Sequence, residues 1–271
     1  MTIEYTGKGD PARSLALLWR TSDRVSRKGK PDLSVERIVR AAIEVADSDG
    51  LQALSMRRVA EKLGVGTMSL YTYVPGKPEL LDVMLDTVYG EVERPEDPPG
   101  GWRERLSRIA RENWRLYLRH PWLLQVATSR PVLGPNVTAK YDFELRALDG
   151  IGLTDVEMDA VLTLVNGFVH GTARGAVEAA QAESQTGMSD EQWWAAHAPF
   201  LARIGDTARF PTAARVGQAT GEALGSAYSA EHAFEFGLER VLDKAADAVR
   251  LRGGVPLPLL RLRLHARRRV R

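Results

Sequence analysis

Thr67, Met68, Ser69, Tyr71 and Tyr73 lie within seven residues, and their chemistry suits a duplex surface better than a reaction. Thr and Ser hydroxyls hydrogen-bond to base edges or phosphates, and a methionine packs on a thymine methyl. Tyrosine hydroxyls suit phosphate oxygens, and Lys77 just beyond adds a charge. Arg57, ten residues upstream of Thr67, can reach a base or the backbone. The plainer alternative is that Leu70 and part of Tyr71 are core and Thr67 is a helix cap. Few of these side chains make bidentate base contacts, so they do not spell out a DNA sequence.

A second set has the chemistry of a ligand pocket. Asn113 sits on an otherwise apolar stripe, and Asn166, His170 and Arg174 recur every four residues. A buried amide or imidazole needs a hydrogen-bond partner, which a bound effector can supply. Trp114, Tyr117, Val126, Phe143 and Phe168 are candidate apolar walls. The competing account is that Asn166 is satisfied within the core and that Arg174 pairs with Glu178 in solvent. The chain has no cysteine, no Gly-rich phosphate loop and no clustered acid–base set, which argues against an enzyme. His120, His170, His197, His232 and His265 lack metal-ligand spacing with nearby acids, so neither metal nor cofactor is expected.

The elements that must position the first set read as a helix-turn-helix. Val59, Ala60 and Leu63 form one apolar face, Gly64 supplies the tight turn, and Val65, Leu70 and Tyr71 seat the next helix. Ser34 caps the preceding helix, with Leu33 and Ile38 as a staple across that cap, and Ser55 caps the second. The stripe Ile38, Ala41, Ala42, Val45, Ala46 has helical spacing and ends at Asp49-Gly50. Pro75-Gly76 stops the third helix, and Lys77-Pro78 opens a fourth carrying Leu80, Leu81, Met84, Leu85 and Val88.

Beyond Pro95, Pro98, Pro99, Gly100 and Gly101, the clearest linker, the pattern stays helical and the fold class is all-α. One stripe runs Trp102, Leu106, Ile109, Asn113, Tyr117, and short helices are expected over Trp122–Ala127 and Pro135–Leu148. Thr154 and Glu157 form a capping box for the longest helix, through about Ala180, and Ser189 with Gln192 forms another. A Gly/Ala-rich irregular stretch is expected up to Ser229, followed by a last helix from Ala230 to Leu251. Four segments result: a basic arm over 1–33, the helix-turn-helix domain over 34–94, a helical effector and dimerisation domain over 95–252, and a basic tail over 253–271. The arm either reaches DNA or is a solvated leader.

The 271 residues carry a net charge of only +2. Residues 1–94 hold 14 basic and 14 acidic side chains, so DNA affinity has to come from local clustering such as Arg57, Arg58, Lys62 and Lys77. Residues 253–271 hold six arginines and no acid, which suits an interaction tail. No apolar run has the length of a membrane span or the place of a signal peptide, so a soluble, cytoplasmic protein is expected.

Leu63-Gly64-Val65, Leu70-Tyr71, Lys77 after its Pro-Gly turn, and Leu80-Leu81-Asp82 together resemble the tetracycline-repressor (TetR) family of bacterial regulators. The resemblance is strong from Leu33 to Val92 and extends faintly through His120, Ser129-Arg130-Pro131 and Phe236-Gly237-Leu238-Glu239. It implies DNA contacts at Arg57, Thr67, Met68, Ser69, Tyr71, Tyr73 and Lys77. It also implies a homodimer through the helices at about 154–180 and 230–251, and release from a near-palindromic operator by a small molecule. Val126 or Ala127 stands where the tetracycline repressor has a metal-binding histidine, which speaks against a magnesium–tetracycline effector. An activator, a ligand-independent regulator, or an all-α carrier or enzyme are the alternatives.

Overall fold

A computed structural model describes residues 3–21, 33–127, 130–204 and 208–252. The expected tail and the basic residues Arg24, Arg27, Lys28 and Lys30 of the expected arm lie outside the described residues. Among the described residues there are eleven α-helices and one pair of two-residue strands. No helix among them is long and apolar enough to cross a membrane.

The reading head is α2 (Val35–Asp49), α3 (Met56–Leu63), α4 (Thr67–Tyr71) and α5 (Lys77–Tyr89). Ser34 Oγ accepts from Arg37 N and Ser55 Oγ accepts from Arg58 N, so both expected caps form. Gly64 adopts φ +67° with open space where a Cβ would go, so the left-handed backbone and not crowding calls for glycine. Val65 N donates to Ala60 O and Gly64 N to Glu61 O, closing a Schellman turn that aims α4 across α3. Ile38, Ala42, Val59, Leu70, Leu80 and Met84 are fully buried at the centre. This core continues past residue 94 into Leu116, Trp122, Leu123 and Val126, so the 95–101 linker does not separate two hydrophobic interiors.

Residues 3–21 are not simply an arm. Glu4–Tyr5 (β1) pairs in parallel with Val126–Ala127 (β2), and α1 (Pro11–Leu18) packs on α5. Asp10 caps α1 by accepting from Arg13 N, with Pro11 at the first helical position. Leu17 and Leu18 then insert into the head's core, so this part of the segment is neither an arm on DNA nor a solvated leader.

The body is α6 (Trp102–Arg119), α7 (Pro135–Arg146), α8 (Asp155–Thr186), α9 (Asp190–Ile204), α10 (Pro211–Leu224) and α11 (Ala230–Arg252). The capping boxes at Thr154–Glu157 and Ser189–Gln192 both form. Pro121–Gln125 is a 3-10 turn running into β2, where a single helix to Ala127 was expected. The stretch expected to be irregular contains α10. It has no fully buried residue, and its small residues serve a close approach: a Cβ on Gly221 would lie 2.6 Å from the Trp194 ring.

The two helices expected at the dimer interface also pack on each other. Val161, Leu162, Val165 and Val169 of α8 close against Phe234, Leu238 and Leu242 of α11 within one chain. Gly237 is taken up by Phe168, which would lie 2.5 Å from a Cβ there. The outer face of α8 keeps Val156, Leu164, Gly167 and Gly171 exposed, and α11 keeps Phe236 exposed.

Candidate nucleic-acid interface

Leu70 anchors α4 and is completely buried, with Val74 beneath the following turn. Because α4 turns about 100° per residue, burying Leu70 sends its sequence neighbours outward. Met68 is 77% exposed, Ser69 and Thr72 are exposed, and Tyr71 is 44% exposed, so Tyr71 faces solvent and does not seat the helix as expected. Tyr73 is half-buried against the head's core. Thr67 is the first helical residue and not its cap; Gly66 holds that place, and Gly66 O accepts from Ser69 N. The helix is five residues long, and Tyr73 N and Val74 N both donate to Leu70 O to finish the turn.

Each basic side chain around the turn has a carboxylate partner. Arg57 Nε lies 2.8 Å from Glu61, Arg58 is 3.0 Å from Asp49, Lys62 is 2.9 Å from Glu44, and Lys77 is 3.3 Å from Glu4. Arg58 holds the Asp49 carboxyl below its usual range, and Glu61 raises Arg57. Exposed pairs of this kind contribute only ~0–1 kcal/mol, so a phosphate can displace them at little cost. The face thus presents neutral polar and apolar groups at its centre and exchangeable cations at its rim.

The ligand candidates do not converge. Asn113 Nδ2 donates to Glu144 Oε1 (2.7 Å) and Asn166 Oδ1 (3.0 Å), and Asn166 Nδ2 donates to Glu144 Oε2 (3.3 Å). Lys140 also donates to this buried carboxylate, so the partner of both amides is internal, as the plainer account had it. Arg174 pairs with Glu178 as that account also had it. Trp114 and Phe168 stack on Phe234 at 4.8 and 6.1 Å between centroids. Val126 lies in the head's core at β2, and Phe143 packs with Ile109 and Ala147 beside a separate 360 Å³ hollow under the linker. His170 meets the Tyr117 ring edge-on at 5.5 Å, and burial followed by Arg174 lowers its pKa.

Of these nine, Asn166 alone lines a 180 Å³ cavity between α5, α7 and α8, beside Leu85, Tyr89, Val137, Lys140 and Glu144. Tyr89 and Tyr117 are hydrogen-bonded to each other, and burial raises both hydroxyls, Tyr117 well above its ordinary value. Sequence reasoning missed Tyr89, Lys140 and Glu144; the i,i+4 spacing of the last two was the available signal, but it reads equally as a surface pair. Asn113 Oδ1 and Trp114 Nε1 are buried with no hydrogen-bond partner among the described residues. Nor is any cluster of three or more His, Asp or Glu among those residues placed to hold a metal ion.

A buried anchor with its neighbours turned outward, on a short helix held across another, is the geometry of a helix-turn-helix reader, here joined to a helical body. Known proteins share both parts. Residues 38–84 match the bacterial regulatory proteins of the tetR family, and residues 94–244 match the Tetracyclin repressor-like, C-terminal domain. The chain belongs to the TetR family and is a helix-turn-helix transcriptional regulator. It is 46% identical to the HTH-type transcriptional repressor DrrR1 of Streptomyces coeruleorubidus over 95% of this chain and 93% of that protein. An HTH-type transcriptional regulator of Saccharopolyspora erythraea is 36% identical over 62% of this chain and 69% of its own. Among solved structures, Streptomyces coelicolor ActR in complex with actinorhodin is 30% identical, with a TM-score of 0.67 over 81% of this chain and 98% of that one.

Proposed function

We propose that the protein is a cytoplasmic homodimeric repressor that α4 docks in the major groove of a near-palindromic operator and that a small molecule releases. The observation that carries the DNA reading is the opposition of Leu70, wholly buried, to Met68, Ser69, Tyr71 and Thr72, all exposed. Arg57, Thr67, Met68, Ser69, Tyr71, Tyr73 and Lys77 make the contacts, with Met68 and Ser69 nearest the bases and Tyr73 and Lys77 on the backbone. A relative named as a repressor that spans nearly the whole chain supports repression over activation.

Two copies meet through the outer faces of α8 and α11. Gly167 and Gly171 have nothing within 4 Å of a would-be Cβ, so a second helix can approach closely there beside Leu164. The effector enters the cavity between α5, α7 and α8, where Lys140, Glu144 and Asn166 supply donors and an acceptor. The solved complex of ActR with actinorhodin supports a small-molecule ligand for a protein of this fold. An effector that binds the spread dimer more tightly than the DNA-fitting one shifts the population and frees the operator; its leverage is limited to that difference in affinity.

The test is a mobility-shift titration of the DNA upstream of the protein's own gene with wild type and Tyr71→Ala. Wild type should retard the fragment, and Tyr71→Ala should bind about tenfold more weakly, since losing one good contact costs ~1–3 kcal/mol. Equal retardation by both proteins would remove α4 from the interface.

A further inference from the structure

Residues 4–19 touch both halves of the molecule, and their contacts follow one path. At the head end, Glu4 Oε1 lies 3.3 Å from Lys77 Nζ at the start of α5, and Gly7 N donates to Asp82 Oδ1 at 3.2 Å. The backbone at Gly9 runs so close to α5 that a Cβ would lie 2.3 Å from Glu79 Oε1. At the cavity end, Thr6 Oγ1 donates to Arg130 O at 2.7 Å, just past the pairing of β1 with β2. Trp19 Nε1 donates to Leu133 O at 2.8 Å. Between those two anchored carbonyls lie Pro131 and Val132, and both line the cavity between α5, α7 and α8. One segment is therefore bonded to the cavity's rim and to a cation of the reading head.

We propose that residues 4–19 are a strap that couples the rim of the cavity to the head, with Glu4 competing against operator phosphate for Lys77. This rests on the reading of Lys77 as a backbone contact. While the strap is seated, the Glu4 carboxylate neutralises Lys77 and sets a negative charge where a phosphate would lie. The pair is partly exposed, with side chains 34% and 26% accessible, so the carboxylate is displaceable and acts as a brake, not a lock. Movement of Pro131 and Val132 on ligand entry changes the hold on Thr6 and Trp19, and through them the grip of Glu4. The strap supplies a second route between the two sites beside α5 itself.

The experiment measures affinity of the full chain for two fluorescein-labelled 30-base-pair duplexes, one from the DNA upstream of its gene and one scrambled, across a salt series. A phosphate contact is independent of sequence, so Glu4→Gln should tighten binding to both by about threefold to tenfold near 0.1 M salt. It should also steepen the slope of log affinity against log salt by about one, the signature of one added phosphate contact. In a Lys77→Ala background, Glu4→Gln should have no effect. Thr6→Val, which removes the bond to Arg130 O, should act in the same direction and be less than additive with Glu4→Gln. Thermal melts of each variant within a degree or two of wild type establish that the fold is intact. The proposal is overturned if wild type binds salt-dependently and Glu4→Gln changes neither affinity nor slope. It is equally overturned if the gain persists without Lys77, because the carboxylate then acts through Lys8, 3.7 Å from its other oxygen, or by long-range repulsion. Wild type that binds neither duplex would instead remove the DNA reading on which the strap rests.

Discussion

Met68 and Leu70 are two positions apart and face opposite environments, one 77% exposed and the other completely buried. Truncating Leu70 to Ala should cost about 2–5 kcal/mol of stability through lost burial and a cavity, read as a fall in urea midpoint. Met68→Ala should leave stability within about 0.5 kcal/mol while weakening DNA binding. If Met68→Ala unfolds the protein, its side chain is core and the face has been misassigned. Gly64→Ala should cost about 1–2 kcal/mol, because the turn needs φ +67°. These contrasts were legible in the sequence, since apolar spacing fixes the buried side and so, by exclusion, the outer one. The partners of the charges were not. Glu4 meets Lys77 across 73 positions, and Asn113 finds Glu144 on another helix, which local spacing does not encode.

At the level of elements, α5 joins the head to the body, touching α1, α2 and α7. Asp86 on its inner side accepts from Asn136 N and Val137 N at the start of α7, and Gly134 lets that carboxylate approach, because a Cβ there would lie 2.2 Å from Asp86 Oδ1. Asp82 holds the strap on the same helix. Burial raises both carboxyls above their ordinary 3.8, and the amide bonds only partly oppose it. A raised acid binds protons more tightly in the folded chain, so its contribution is complete below 3.8 and is lost as pH climbs through the folded value. Asp82→Asn cannot ionise and lacks that loss. Its stability relative to wild type should therefore rise between about pH 3 and pH 7 in urea titrations, whereas a pH-independent difference would show that Asp82 does not titrate with folding. Capped helices such as α2, α3 and α8 were legible because their signals are local. β1 and α1 were not, because a two-residue pairing and one packed helical face depend on partners far along the chain.

On the scale of the whole molecule, the reading face of α4 and the outer side of α8 and α11, with Leu164, Gly167, Gly171 and Phe236, are both exposed. Periodicity marked these two helices as apolar without showing which of their faces their own chain covers. Leu164→Arg should give a folded monomer in sedimentation velocity, and the loss of paired half-sites should reduce DNA affinity far more than any single α4 substitution. An unchanged dimer would place the interface elsewhere. The central claim is that paired copies of α4 read one face of a duplex, and hydroxyl-radical footprinting of the upstream DNA tests it most directly. Two protected patches with centres one helical turn apart, about 34 Å, are predicted, with both lost together in Leu164→Arg. A single patch, or protection that survives removal of Met68 and Tyr71, would contradict it.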